Sequence, residues 1–262
     1  MASTEPERES LAEGTLISHL LELRTRLVRS AIAVAICAVP CLYFSNELFA
    51  WVSQPLIRTL PKGGKMIAIS VMGPLMTPFK LSLYIALAAA MPYVLYQIWA
   101  FIAPGLYKHE KKFATPLLIS SVILFYAGIA FAFFAVFPLM FAFFTATAPP
   151  GVQMMTDMTQ YLDFVLVLFL AFGLAFEIPV AIVLLVWTGL IKIQTLSRNR
   201  GYVLLGVFIQ AALITPPDVF SMTAMALPMY ALYEIGIVMA RILAKSKLEA
   251  RAREERESDA KT

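Results

Sequence analysis

FVLVLFLAFGLAFEIPVAIVLLVWTGL, residues 164–190, is apolar almost from end to end. About 20 residues at 1.5 Å each cover the hydrocarbon core of a bilayer, so the stretch is long enough to cross as one helix. A single ionisable residue, Glu177, interrupts it near the middle, with Pro179 two positions later. Placing a charged side chain at that depth costs roughly 2.5–3.5 kcal/mol on insertion scales. A carboxyl group there points to function; the plainer alternative is a neutral Glu that hydrogen-bonds a neighbouring helix and does nothing more. Pro179 removes a backbone donor, so the carboxyl group sits where the helix is already perturbed.

The rest of the chain has the same character. Its residues are 60% hydrophobic and 15% charged, and its mean hydropathy is +0.77. No soluble core hides that much apolar surface, so the composition implies a polytopic, all-α membrane protein. Six spans are expected, at about 27–44, 81–104, 113–147, 164–190, 202–214 and 219–240, within a membrane domain 19–245. A polar N-terminal tail, 1–18, precedes it, and a charged tail, 246–262, follows as a helical extension that frays into disorder. The acidic start MASTEPERES is neither a signal peptide nor a transit peptide, so the first apolar helix is expected to direct its own insertion. Pro40, Pro78, Pro92, Pro116, Pro138, Pro179 and Pro228 lie in or beside the spans, which predicts a kinked and curved bundle. Residues 202–214 reach only about 20 Å, short of roughly 30 Å of hydrocarbon, which predicts a locally thinned bilayer.

Orientation follows from the basic residues. Arg24, Arg26 and Arg29, then Lys108, Lys111 and Lys112, then Lys192, Arg198 and Arg200, and the C-terminal tail all fall on one side of a six-span chain. That side is expected to be cytoplasmic, with both termini on it. On the other side, residues 45–77 mix apolar and polar residues at helical spacing, which predicts one or two amphipathic helices at the outer surface.

Chemistry by enzyme motifs is excluded. The two histidines, His19 and His109, both lie at the cytoplasmic edge, and neither a zinc-protease motif nor a phosphate-binding loop is present. Cys37 and Cys41 lie one helical turn apart and read as packing residues; no metal site or cofactor is expected. The pI near 9.0 reflects the basic loops, not a nucleic-acid face. Glu177, Gln97, Gln210 and Glu234 would suit a proton-coupled small-solute transporter centred on Glu177, although no repeated halves are found.

The cytoplasmic edge is more distinctive. HLLELRTRL (19–27) sets Glu22, Arg24 and Arg26 between leucines, with Glu22 and Arg26 at the i,i+4 spacing of an ordinary helix ion pair. YQIWAFIAPGLYKHEKK (96–112) closes the second span with Glu110 among three lysines. Together with SQPL (53–56), FGLAFEIPVAI (172–182) and LITPPDVFS (213–221), these stretches resemble the TatC family, the largest subunit of the twin-arginine protein translocase. The resemblance covers nearly the whole chain.

It implies a core receptor subunit in the bacterial cytoplasmic (inner) membrane. That subunit binds signal peptides carrying two consecutive arginines and helps folded precursor proteins across, driven by the proton-motive force. Its implied partners are the single-span subunits TatA and TatB, with several copies per complex in the lipid bilayer. By the same resemblance Glu22 and Glu110 bind the arginine pair, and Arg24 and Phe101 belong to that region. Glu177 is the membrane-embedded polar residue, Pro55 marks the structured outer loop, and Thr215 and Asp218 stand where a partner docks. Met222 occupies a place where relatives can carry a polar side chain in the outer cluster. Arg24 beside Glu22 is expected to orient its carboxylate.

Overall fold

A computed structural model describes residues 5–59, 66–102, 111–147, 149, 155–215 and 218–259. The described residues are overwhelmingly helical and contain no named strand; one isolated parallel bridge joins Ile67 and Asp157. The helices are α1 (Glu5–Tyr43), α2 (Ser45–Thr59), α3 (Gly73–Ile102), α4 (Lys111–Phe131), α5 (Phe137–Ala146), α6 (Met158–Ala175), α7 (Ile178–Trp187), α8 (Ile193–Arg198), α9 (Arg200–Ile214) and α10 (Val219–Asp259). A π-helical turn, Ala132–Val136, joins α4 to α5 without a break. Five helical stretches are long and apolar enough to cross a membrane: Leu20–Tyr43, Gly73–Ile102, Thr115–Ala146, Met158–Trp187 and Val219–Lys245. The sixth apolar helix, α9, has 15 residues and reaches about 22 Å.

The chain divides into two compact units, one of Met1–Gly63 with Ala68–Val122, the other of Gly64–Ile67 with Ile123–Thr262. In the first, α1 packs along α3, and α2 packs against α3 as well. The less exposed positions of α1 recur every three or four residues: Glu22, Arg26, Ser30, Ala33, Val34, Cys37, Ala38 and Cys41. Such spacing places them on one helix face. Most of those beyond Arg26 are small, which lets backbones come close where lipid gives no hydrophobic drive. Cys37 and Cys41 thus lie on the packing face and are both free thiols. Ala86 and Ala90 are buried on the α3 side. The opposite face of α1 exposes Ile32, Ile36 and Val39, as suits lipid. Trp99 of α3 donates through Nε1 to the buried hydroxyl of Ser121, at 3.3 Å.

In the second unit, α6 and α7 are two halves of one span. More than half of its apolar window is buried, against a third or less in each of the other four. The helix breaks at Phe176 and Glu177. The amide of Glu177 donates to the carbonyl of Leu174 at 3.1 Å, a tightened i−3 bond, and Ala181 restarts the ladder by donating to the Glu177 carbonyl at 2.9 Å. Pro179 is the cause. A helix through it would lack the donor for the Ala175 carbonyl and would crowd its ring against that group. Starting a new helix at Ile178 puts the proline in a first turn, where no N–H is needed. Gly189, at φ +76°, ends the span in a left-handed turn.

Close helix contacts in this unit depend on glycine. A Cβ added at Gly128 would lie 2.5 Å from the carbonyl oxygen of Phe172, and one at Gly236 would lie 2.9 Å from the Cα of Pro179. Both obstacles are backbone, so a neighbouring rotamer change cannot relieve them. At Gly206 nothing lies within 4 Å. Gly128→Ala is therefore expected to destabilise the detergent-solubilised protein by about 1–3 kcal/mol, the usual cost of overpacking. Gly206→Ala should be neutral or slightly stabilising, as Ala favours helix. Thermal unfolding of both variants checks this, and equal shifts would contradict the packing. Around Gly128, Phe131 packs on Phe172 and Phe176 with ring centroids 5.6 and 5.7 Å apart.

Several boundaries differ from those expected. The stretch read as a polar tail joins α1 without interruption from Glu5. At the other end α10 continues as a helix to Asp259. Residues 246–259 are rich in Glu, Arg and Ala, strong helix formers that favour continuation. The second span also starts earlier, at Gly73. The helix expected within residues 45–77 is α2, which buries Val52 and Ser53 and exposes Trp51.

Candidate signal-binding edge and intramembrane carboxyl

Where α1 enters its apolar span, Leu20–Tyr43, the Glu22 carboxylate is held by Arg26. Nε of Arg26 donates to Oε1 of Glu22 at 3.0 Å, and Nη2 donates to the same oxygen. The remaining terminal nitrogen, Nη1, reaches the side-chain oxygen of Gln97 at 3.4 Å. Gln97 is buried on α3, so one guanidinium links the start of the α1 span to the last turns of α3. The pair is partly solvated, with side-chain exposure of 20% for Arg26 and 35% for Glu22. As an i,i+4 pair it contributes a few tenths of a kcal/mol to stability; its importance lies in what it does to the carboxylate.

Arg24 does not orient Glu22. Residues two apart point to nearly opposite sides of a helix, and Arg24 is exposed. Phe101 is half-buried in the last turn of α3, four residues after Gln97 and on the same face. Glu110 lies outside the described residues. Pro55 lies within α2, with its side chain outside them.

Glu177 occupies the N-cap position of α7, at the break in its span. It is half-buried, and its Oε1 atom is shielded from the surroundings. Gly236 seats α10 against Pro179, close to this carboxyl group along the chain.

At the end read as the outer one, both polar residues have local partners. The buried hydroxyl of Thr215 donates to the carbonyl of Ala211 at 2.9 Å. Asp218 caps α10, its Oδ1 accepting from the amide of Ser221 at 2.7 Å. Met222 donates its own amide to the Asp218 carbonyl at 3.1 Å.

Sequence reasoning missed two polar groupings. Arg200 donates to Glu234 Oε2 at 2.7 Å, Tyr230 donates its hydroxyl to Oε1 at 3.0 Å, and Tyr233 donates to the Leu196 carbonyl at 2.9 Å. This network ties α8 and α9 to α10. Its signal was available: Glu234 and Arg200 are opposite charges at the ends of consecutive spans that must be neighbours. The second is Asp157, which caps α6 and pairs through its backbone with Ile67.

Comparison with known proteins agrees along nearly the full chain. The family described as "Sec-independent protein translocase protein (TatC)" matches residues 18–228. The chain is 55% identical over 222 residues to the TatC of Azotobacter chroococcum, covering 85% of this chain and 87% of that one. It is 50% identical over 244 residues to that of Haemophilus influenzae, covering 93% and 95%. A solved structure described as the twin arginine translocase receptor TatC superposes with a TM-score of 0.78 at 36% identity, covering 86% of this chain and 98% of that one.

Proposed function

The chain belongs to the TatC family of Sec-independent protein translocase proteins, and from that membership we propose that it is the receptor subunit that binds twin-arginine signal peptides. It is an integral membrane component of protein transport and not an enzyme. In the proposed arrangement it sits in the bacterial inner membrane with both termini in the cytoplasm and works with TatA and TatB, several copies per complex. Folded precursors cross at the expense of the proton-motive force. Residues 19–245 form the membrane domain, flanked by the two charged ends.

The observation that carries this reading is the partly solvated Glu22 carboxylate, fixed at the head of a span by one guanidinium. A second guanidinium can be accepted in the same way, because its planar fork matches a carboxylate. Two arginines require two such acceptors, and Glu110, in the segment after α3, is the second. Phe101 adds apolar surface beside them. The apolar part of the signal then lies along the spans toward Glu177, and burial of that part supplies much of the affinity.

Expression in cells that lack their own TatC tests the proposal. Export of a folded reporter should return with an Arg-Arg signal and not with a Lys-Lys signal; no export, or equal export of both, would count against it. Orientation has a separate test. In a background with Cys37 and Cys41 replaced by Ala, Gln153→Cys and Asp218→Cys should react with a membrane-impermeant thiol reagent added from outside. Labelling only from the cytoplasmic side would reverse the topology.

A further inference from the structure

Helix α9 is shorter than the span of α10 beside it, and the missing length lies at one end. Ile214 ends α9 and Val219 opens α10 shortly afterwards, so the two helices are level at the end read as outer. From Val219 to Glu234 is about 22 Å along α10, the length of α9, and Arg200 in the first turn of α9 bonds Glu234 at 2.7 Å. α10 then continues for about 10 Å more to Arg241. Over that length α8 lies beside it in place of α9: Tyr233 donates to the Leu196 carbonyl, and Nη2 of Arg241 donates to the Ser197 hydroxyl at 2.7 Å. Val219 to Arg241 covers about 33 Å, a full hydrocarbon thickness, so Arg200 stands about 10 Å inside the level of Arg241. We propose that this step holds the phosphate of an anionic phospholipid from the adjoining leaflet, gripped by Arg200 and Arg241, with the acyl chains along α9. The site does not depend on the reading of Glu22.

Three features carry it. The first is charge. At this end residues 189–214 and 230–245 carry Lys192, Arg198, Arg200, Arg241 and Lys245 but a single carboxylate, Glu234, which Arg200 engages. Basic pockets between spans recruit anionic headgroups, and each cation near the surface adds about fivefold in affinity. The second is a shortage of acceptors. Nη2 of Arg200 serves Glu234, whereas its Nε is buried without an acceptor and the side chain is 43% exposed. Arg241 is exposed and bonds only a neutral hydroxyl among the described residues. A phosphate accepts parallel N–H donors from a guanidinium and satisfies what the fold leaves short. The third is an apolar flank. Tyr202, Leu205 and Ile209 are exposed and recur at the spacing of one helix face, starting two residues after Arg200. A soluble anion uses the arginines alone; a phospholipid uses the arginines and this face, and its headgroup fills the step that a short helix leaves in the bilayer.

The test uses the purified full chain in detergent and native mass spectrometry. Short-chain phosphatidylglycerol is titrated, with phosphatidylcholine of the same chain length and inorganic phosphate as comparisons. Phosphatidylglycerol should bind about tenfold more tightly than phosphatidylcholine or better, and an equal concentration of inorganic phosphate should not displace it. Arg200→Gln and Arg241→Gln should each weaken its binding about fivefold, and together about 25-fold. Arg29→Gln removes an exposed cation from α1 and should change nothing. Glu234→Gln removes the carboxylate that competes for Arg200 and should tighten binding about fivefold, a gain that a poorly folded variant cannot imitate. Equal binding of the two lipids, equal losses in Arg29→Gln and Arg200→Gln, or weaker binding in Glu234→Gln would overturn the site. Displacement by inorganic phosphate would make it a site for a free anion and overturn the lipid.

Discussion

Glu22→Ala and Glu110→Ala should each weaken binding of an Arg-Arg signal peptide by roughly 30-fold to several-thousand-fold, which corresponds to about 2–5 kcal/mol for truncating one partner of a charge pair at a desolvated interface. The large expected loss comes mainly from the guanidinium left without an acceptor. Both variants should fold. Glu22 is only partly buried, and the ion pair it loses is worth a few tenths of a kcal/mol to the fold. Discrimination between Arg-Arg and Lys-Lys should fall along with affinity, because the carboxylates are what distinguish a fork from a point charge. Titration of labelled peptides into the purified variants checks both quantities. Unchanged affinity and unchanged discrimination in the two variants would remove these carboxylates from the site.

Glu177 gives the second large effect, and here the order of three substitutions matters more than any single one. The carboxyl group stands at the break between α6 and α7, in the most buried of the spans. We propose that it is a hydrogen-bonding foothold for a signal peptide or for a polar residue in a partner's span, a role that needs no permanent charge. Glu177→Gln keeps hydrogen-bonding capacity and should retain much of the transport. Glu177→Ala should assemble but export poorly, by about tenfold or more if one buried hydrogen bond to the partner is lost. Glu177→Arg puts an obligate charge in the span and should fail at assembly. A proton-carrying role predicts another order, since an amide cannot release a proton and Gln would be as inactive as Ala. Export of a folded twin-arginine reporter by the three variants decides between the two, and equal loss in Gln and Ala would sink the foothold.

The spans and the break at Glu177 were legible because they depend on local chemistry. Long apolar runs mark membrane helices, and Pro179 marks the interruption wherever the helix packs. A perturbation at Ala132–Val136 was legible from Pro138, which cannot donate to the Phe134 carbonyl, but its π-helical form was not, since nothing in AFFAV itself announces it. Long-range partners were also hidden. Arg26 and Gln97 lie 71 positions apart, so the sequence offered Glu22–Arg26 as a routine i,i+4 pair and gave no reason to bring Gln97 to it. Arg24 drew attention through nearness in sequence to Glu22, but helical geometry turns it away. Gly128 and Gly236 carried no signal, because nothing near either one in the chain reveals which backbone it must meet. At the other end, Thr215 and Asp218 were visible beside the paired prolines, but the sequence could not show that each has a local hydrogen-bonding partner.

The central claim is that the cytoplasmic edge formed by the start of the α1 span and the segment after α3 receives the arginine pair. The most direct measurement is photocrosslinking from an Arg-Arg signal peptide with the reactive group beside the two arginines, followed by mapping of the adducts on this chain. The account predicts adducts within residues 19–27 and 96–112, competed by unlabelled Arg-Arg peptide and not by Lys-Lys peptide. Adducts confined to the end of α9 and the start of α10 around Thr215 and Asp218, or adducts competed equally by both peptides, would contradict it.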